Sequence, residues 1–489
     1  MFRKIMDWLR KGAVKIGLIK TLGDITEHKD VAKNREMFEQ IEQWKALYKG
    51  YHEDMHKVVY QTINGEKTRR MLSLGLPKVA ANEMASLVYN EKCDISIDNE
   101  SVDELIGQVF NDNKFNKKFQ DYLEYSFAHG GMVIKPYIDD DKIMLSFVTA
   151  DCFIPISWRN DSIYEAVFPF EFEERDKKYT HLEWHLWEDE EYVIRNEVYE
   201  SQNETDLGVK VPLERFFPGL EEEVRISGLK RSIFSYFKPN TANNIDTNSP
   251  LGISLYANAL DTIQSIDTAF DSFNREFRLG KKRIIVPESM VKVVYDDHGV
   301  PHRYFDANDE TYESFNTGNM DDAKIHDISV ELRVEEHVAA INALLNLFAM
   351  QTGFSSGTFT FDGQSMKTAT EVVSEQSKTF KSKQSHEVII EAALQELIGS
   401  IVAMAQLYNI ANVSDEYEVV VTFDDSIAED KQAEITKQIQ LVAAELQSKK
   451  RAIIKIFGVT EDEALEIIRE IEQEQYREPT ESMMFGDRE

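Results

Sequence analysis

The chain has 489 residues, 42% of them hydrophobic and 29% charged, with a formal net charge of −32 at pH 7. That length exceeds one compact core, so two or three sub-domains are expected, and the composition excludes a disordered chain. The acidity is spread along the chain, which excludes tight wrapping of nucleic acid, and the two cysteines, Cys93 and Cys152, stand in no metal-type or redox-type spacing and suit a reducing compartment.

Basic residues interrupt the apolar ones throughout residues 1–20, leaving no continuous signal-peptide core. Phe2, Ile5, Leu9 and Ile16 fall on one side of a helix, with Arg3, Arg10 and Lys11 elsewhere. Such a helix suits a membrane surface or a partner, and equally docking on its own protein. No later stretch approaches the roughly 20 apolar residues of a spanning helix, so a soluble chain is expected. Over residues 34–60, Phe38, Ile41, Trp44, Leu47 and Tyr48 predict one amphipathic helix, closed by a turn at Asn64-Gly65. A second helix is expected from Pro77 to Asn90, its proline in the first turn.

Strands follow at 132–138, 143–148 and 163–170, with a turn at Asp139-Asp140-Asp141, and 181–199 alternates as a hairpin does. The first half thus reads as a mixed α+β body. From Leu251 to Leu279, Tyr256, Leu260, Ile263, Ile266, Phe270, Phe273 and Phe277 mark a long helix with one narrow seam for a neighbouring helix. A small module with strand-like segments at 283–287 and 291–295 occupies 280–330, turning at Asp297-His298-Gly299. Helix returns over 332–350 on Val334, Val338, Ile341, Leu344, Leu345 and Phe348.

The glycines and serines of Gly353 to Gly363 forbid a regular helix and predict an exposed loop, with two phenylalanines that have no evident core partner. Thr368-Ala369-Thr370-Glu371 is a capping box opening a helix that runs to about Asn409, on the order of 60 Å long. Its first half, Ser374 to His386, is polar nearly all round and suits a bridge between parts of an assembly, whereas Val388 to Leu407 demands burial. A strand at Tyr417 to Phe423 and three helices complete the chain, the last opened by a second capping box at Thr460-Glu461-Asp462-Glu463. After Gly458 the chain carries 11 acidic and 3 basic residues, which predicts a solvated helix and a frayed end.

This order of pieces resembles the portal proteins of tailed bacteriophages of the siphophage type over nearly the whole chain. The local sequence is similar too, at Lys78-Val79-Ala80 through Ala85-Ser86-Leu87-Val88-Tyr89-Asn90-Glu91 and at Thr368-Ala369-Thr370-Glu371-Val372. The resemblance implies an α+β portal fold with wing, stem, clip, long spine helix and helical crown, in a ring-forming oligomer, usually a dodecamer. The N-terminal region and wing would span 1–250, the stem helices 251–279 and 331–350, and the clip 280–330. A tunnel loop would span 351–366, the long helix and returning wing strand 367–426, and the crown and tail 427–489. The implied function is a conduit for double-stranded DNA in packaging and ejection at one capsid vertex of the virion, with synthesis in the host cytoplasm. The implied partners are the terminase large subunit, a head–tail connector or adaptor, the major capsid and scaffolding proteins, and DNA without sequence specificity. Thr358, Phe359, Thr360, Phe361 and Asp362 would face the DNA, and Lys281, Lys282 and Arg283 form a basic cluster suited to DNA, to an acidic partner or simply to a helix end.

No catalytic residue, cofactor or metal is assigned. Gly280-Lys281-Lys282-Arg283 lacks the glycine and hydroxyl of a phosphate loop, so no ATP hydrolysis is expected. His181, Glu183 and His185 share one strand face but not the order of a helical zinc motif, and consecutive aspartates at 139–141 suit a turn better than a nuclease. Two rival readings are an enzyme using the scattered carboxylates, which predicts metal-dependent turnover, and a peripheral membrane- or scaffold-binding virion protein, which predicts liposome binding through residues 1–20.

Overall fold

The computed structural model describes residues 35–62, 65–175, 177–201, 207–279, 283–285, 292–295, 298–299, 301–304, 326–328, 331–361, 369–424, 431–457 and 459–476. The expected helix within 1–20, the capping box at Thr368 and the chain after Tyr476 lie outside the described residues.

Helix α1 (Arg35–Tyr48) buries Met37, Phe38, Ile41, Trp44 and Leu47, the face its spacing predicts. It stops well short of residue 60. Gly50 takes φ +77°, and after the single turn α2 (Glu53–His56) the chain forms a hairpin of β1 (Lys57–Thr62) and β2 (Gly65–Arg70). Val58, Val59 and Tyr60 favour a strand, and Asn64-Gly65 is a hairpin-turn sequence, so local chemistry overrides the one helix expected across 34–60.

Helix α3 (Leu76–Val88) holds Pro77 in its first turn, and strand β3 (Asp94–Ile97) follows. Two helices then form where the sequence reading made no assignment. Helix α4 (Glu100–Asn113) is capped by the Asn99 side chain, which accepts from the Val102 N–H, and α5 (Phe115–His129) ends at Gly130 with φ +89°.

The expected strands appear as β4 (Met132–Asp139), β5 (Lys142–Thr149), β7 (Ser162–Glu174), β8 (Lys177–Glu188) and β9 (Glu191–Ser201), and β6 (Ile154–Arg159), which the sequence reading did not assign, precedes β7. Asp140 and Asp141 both take positive φ between β4 and β5, as do Asp189 and Glu190 between β8 and β9, the geometry of tight two-residue hairpin turns. The consecutive aspartates are thus turn formers. Short strands β10 (Val209–Val211), β11 (Glu223–Ile226) and β12 (Ser235–Phe237) complete two sheets: β10-β9-β8-β7-β6 with β11 also on β9, and β12-β4-β5.

The long helix α6 (Leu260–Leu279) begins nine residues later than the expected Leu251. Residues 251–254 form no helix and pass the end of α5, and a turn at Leu255-Tyr256 and one 3₁₀ turn (Ala257–Ala259) lead into α6. The Leu255 N–H donates to the Phe127 carbonyl at 2.9 Å, and Gly252 meets Gly130 backbone to backbone. A Cβ on Gly252 would stand 2.4 Å from the Gly130 oxygen, so the approach requires glycine. Then come β13 (Arg283–Ile285), β14 (Lys292–Tyr295), β15 (Pro301–Tyr304), β16 (His326–Ile328) and helix α7 (Val334–Gln351). Helix α8 (Ala369–Leu407) runs 39 residues, strand β17 (Val419–Thr422) pairs with β3, and α9 (Lys431–Ala443), α10 (Lys449–Phe457) and α11 (Glu461–Tyr476) follow. The second capping box forms as expected: the Thr460 N–H donates to Glu463 at 2.9 Å, and the Glu463 N–H reaches the Thr460 hydroxyl at 3.4 Å.

Two compact units divide the chain. One comprises Met1–His52, Gly75–Leu260 and Asn346–Glu489, and the other Glu53–Leu74 and Asp261–Leu345. The larger unit is organised on the apolar half of α8, where Ile390, Leu394, Leu397, Ile398, Ile401 and Val402 are buried and the helix lies against β4, β12 and α3. Residues 378–407 of this helix are, by length and composition, apolar enough to cross a membrane, contrary to the expectation that no stretch is, yet most of that window is buried inside the fold. The expected polar bridge at Ser374 to His386 is also corrected: Thr379, Lys383 and His386 are buried.

Polar contacts between helices in this unit are specific. Glu124 on α5 accepts from Tyr48 on α1 at 2.5 Å, from Asn82 on α3 at 2.8 Å and from Lys78 on α3. Lys45 on α1 is paired with the buried Asp151. Two histidines are buried without a charged partner at hydrogen-bond distance. His386 accepts from the Asn240 N–H through Nδ1 at 2.9 Å, and His129 stacks parallel to Tyr125 at 6.0 Å. Burial lowers both from 6.5 to about 4. A pKa lower in the folded than in the unfolded state stabilises above the unfolded value, and that stability is lost as pH falls from 6.5 toward 4. Chemical denaturation across this range should show the wild type weakening, with His386→Gln removing a slope of up to about 1.4 kcal/mol per pH unit.

Candidate functional site

The sequence singles out the paired helices α6 and α7, the strands between them and the loop after α7. Helix α6 buries Ile263 and Ile266 as expected, but its aromatic seam emerges toward the C-terminus, where Phe277 is 46% exposed. Phe273 lies edge-on to Phe277 at 5.0 Å and tilted on His337 of α7 at 5.5 Å. One turn of polar contacts locks the same place. Glu276 accepts from the Arg333 N–H, its Nε and Nη2, and from His337 Nε2, at 2.8–3.1 Å. The Arg333 guanidinium, with its backbone N–H and the His337 ring, holds the Glu276 carboxyl down at about 2.

The sequence reading missed two carboxylates on this helix. Asp267 and Asp271, both buried, sit one turn apart beside the apolar seam, an arrangement that signals a designated set of donors. Asp271 takes a bidentate contact from Arg69 at 2.7 and 2.8 Å and the Leu72 N–H at 3.2 Å. Asp267 takes the Leu74 N–H at 2.7 Å and the His56 ring at 3.0 Å. The Arg69 contact holds the Asp271 carboxyl below its ordinary range.

Between α6 and α7, β13 pairs antiparallel with β16 and β14 with β15, the latter as a hairpin around the expected turn at His298-Gly299. Arg283 opens β13; Lys281 and Lys282 lie outside the described residues, so the basic cluster is placed only at its last member's backbone.

The loop after α7 is anchored to helix on both sides. Phe354 is fully buried, and Phe359 packs edge-on between it and Phe348, at 5.0 and 5.6 Å. The Ser355 N–H donates to Thr379 Oγ1 at 2.8 Å, the Thr379 N–H donates to Ser355 Oγ at 3.1 Å, and the Gly357 N–H reaches Asn346 at 2.7 Å. The Thr358 and Thr360 hydroxyls fold back on the carbonyls of Ser355 and Gly357. Phe361 is 55% exposed, and Asp362 lies outside the described residues. Of the five candidate residues, Phe359 therefore anchors the loop, Thr358 and Thr360 shape it, and Phe361 stands at its exposed end.

The histidine face at 181–185 is absorbed by packing. His185 Nε2 meets Glu183 at 2.8 Å and its Nδ1 meets the Tyr192 hydroxyl at 2.8 Å, while His181 meets Asn196 at 3.1 Å. Burial would raise the Glu183 carboxyl, but Lys135 at 2.5 Å and the His185 ring hold it well below its ordinary range. Among the described residues no group of three or more His, Cys, Asp or Glu side chains could hold a metal ion.

Residues 27–478 match the family model of phage portal proteins, SPP1 Gp6-like. The chain belongs to this phage portal protein family. As a portal protein it is a structural component of the virion at the capsid vertex, and the family is a structural one. No curated protein matches it by sequence. Solved structures similar to the portal chain include one from the neck of an empty GTA particle computed with C6 symmetry. That match has 9% identity and a TM-score of 0.44, covering 78% of this chain and 89% of that one. Another, from the virion of a native gene transfer agent (GTA) particle, has 8% identity and a TM-score of 0.43, covering 78% and 88%.

The loop of the portal protein offers a direct test of its anchoring. Gly353 takes φ +84°, and a Cβ there would stand 2.4 Å from Ser382 Oγ on α8. Gly353→Ala should cost about 1–2 kcal/mol locally and speed backbone hydrogen exchange over 352–361. Adding Ser382→Ala should recover only part of the loss, because the left-handed backbone strain remains.

Proposed function

We propose that the chain assembles into a ring, of twelve copies as the resemblance implies, which guides duplex DNA during packaging and ejection. The observation that carries this reading is the family match across nearly the whole chain, joined to two helices that leave and return around a small module of strands. Helices α6 and α7 form the stem. The module at 280–330 is the clip that meets the terminase large subunit and later the head–tail connector, and the helices after 427 form the crown. Capsid and scaffolding proteins contact the outside, and the chain itself carries no enzymatic activity, the motor's fuel being consumed elsewhere.

Electrostatics suits a conduit. Twelve copies of −32 give about −384 for the ring, and duplex DNA carries one negative charge per roughly 1.7 Å, so adhesion between them is weak. A basic lining would release counterions at each phosphate contact and slow translocation. The loop at 351–366 faces the DNA, with Phe361 toward the channel and Phe359 holding the loop in place.

Negative-stain electron microscopy with mass determination of the purified protein tests the assembly: rings with a central hole support it, and a chain that stays monomeric even with capsid and scaffold counts against it. Within rings, Phe361→Ala should leave assembly unchanged while impairing DNA packaging or retention. Phe359→Ala should instead loosen the loop, costing on the order of 1–3 kcal/mol of local stability. Normal packaging by the Phe361→Ala, Phe359→Ala double variant would remove the loop from the mechanism.

A further inference from the structure

The last three described helices do not bury a core of their own. Helix α10 lies against both α9 and α11. Yet among the described residues of these helices and the turns between them, the buried apolar side chains are only Ala452 and Ala464. Leu441, Ile454, Leu465 and Ile468 are half-buried, and Ile439, Leu446, Phe457 and Ile471 are exposed, Leu446 at 76% and Phe457 at 65%. Burial of apolar surface is the main favourable contribution to a small helical unit, so this surface calls for cover from outside the chain.

Charge identifies the cover. Helix α10 carries Lys449, Lys450, Arg451 and Lys455 and no carboxylate, whereas α11 carries seven carboxylates and the single cation Arg469. Lys450 and Lys455 have contacts of their own within the chain and are set aside. Lys449 and Arg451 remain, and both are exposed. On α11, Glu463, Glu466 and Glu470 follow the i, i+3, i+7 spacing of one helix face, and all three are exposed. Glu463 is used in the cap with Thr460, which leaves Glu466 and Glu470. Arg469 stands about 100° round the helix from Glu470, outside this stripe.

We propose that α10 of one copy docks on α11 of the next, Lys449 and Arg451 meeting Glu466 and Glu470, with the exposed apolar side chains covered in the same contact. This rests on the ring reading above. In a ring each copy meets one neighbour with one side and the other neighbour with the other. Unlike charges on two helices of one unit therefore make every contact complementary. Duplex DNA fits less well: the cations of α10 stand on a helix that lies against the acidic α11, so a phosphate backbone would meet both, and it gains nothing from covering Leu446 or Phe457.

The test uses two full-length variants, Lys449→Glu with Arg451→Glu and Glu466→Lys with Glu470→Lys, read by sedimentation and by negative-stain counts of rings. All four side chains are exposed, so circular dichroism of both variants should match the wild type. Alone, each should need about tenfold or more protein for half-assembly, because like charges then face each other across the contact. The milder Lys449→Gln, Arg451→Gln pair should shift it in the same direction by less. An equimolar mixture of the two reversed variants should recover wild-type assembly, in rings that alternate, since each supplies the charge the other has lost. Assembly of each reversed variant alone at the wild-type concentration would overturn the inference while leaving the ring intact. Folded variants that fail alone and fail again when mixed would overturn it by placing the pairing of α10 with α11 inside one chain. A wild-type chain that never forms rings, with or without capsid and scaffold, would instead overturn the ring reading itself, and this contact with it.

Discussion

The apolar half of α8 is the constraint around which the larger unit is arranged. A helix carrying Ile390, Leu394, Leu397, Ile398, Ile401 and Val402 cannot stand in water, since each such side chain gains about 1.5–3 kcal/mol on burial. Strands β4 and β12 and helix α3 supply the cover. Their sequences comply: Met132, Val133 and Ile134 are an unbroken apolar run, as a strand buried on both faces requires, and α3 presents Ala80, Ala81, Met84 and Val88, all buried. The N-terminal half of the same helix has a different task, because Thr379 and Ser382 are the surface on which the loop after α7 is laid.

Among the described residues, four buried carboxylates have assigned donors. Glu124 receives Tyr48, Lys78 and Asn82; Asp151 receives Lys45; Asp271 receives Arg69 and Leu72; Asp267 receives Leu74 and His56. Removing one donor would strand a charge in a low-dielectric setting, which costs more than the bond itself contributes. These contacts set register more than they add stability. Tyr48, Lys78 and Asn82 on Glu124 index three helices against one another, and the two α6 aspartates decide where the chain from Arg69 to Leu74 must run.

Much of the order of elements could be read from the sequence because periodicity and turn chemistry agreed. The β4–β5 and β8–β9 hairpins, the α6–module–α7 order and the Thr460–Glu463 cap all follow from local signals. One error arose where a distant backbone decided: residues 251–254 belong to a helical pattern but are kept out of helix by contacts with Phe127 and Gly130, and the chain turns at 255–256 and through one 3₁₀ turn before α6 begins. That coupling leaves no trace in a local window. The helix expected over 34–60 gives way for a local reason, the strand-favouring Val58-Val59-Tyr60 and the Asn64-Gly65 turn, and the root of the resulting hairpin is in addition fastened to Asp267 and Asp271. The polar run from Ser374 to His386 misled for a related reason: Lys383 and His386 are buried by pairing, Lys383 with Glu387 at 2.5 Å and His386 with the Asn240 N–H.

The loop after α7 loses burial residue by residue as it leaves its root. Phe354 is fully buried, Phe359 half-buried between two rings, and Phe361 more than half exposed. Ser355 and Thr379 exchange bonds through backbone and side chain, the Gly357 N–H donates to Asn346 of α7, and the Thr360 hydroxyl donates to the Gly357 carbonyl within the loop. Sequence alone showed alternating threonine and phenylalanine with no partner in sight, because the partners, Phe348 and Phe354, belong to the helix before it and to its own root.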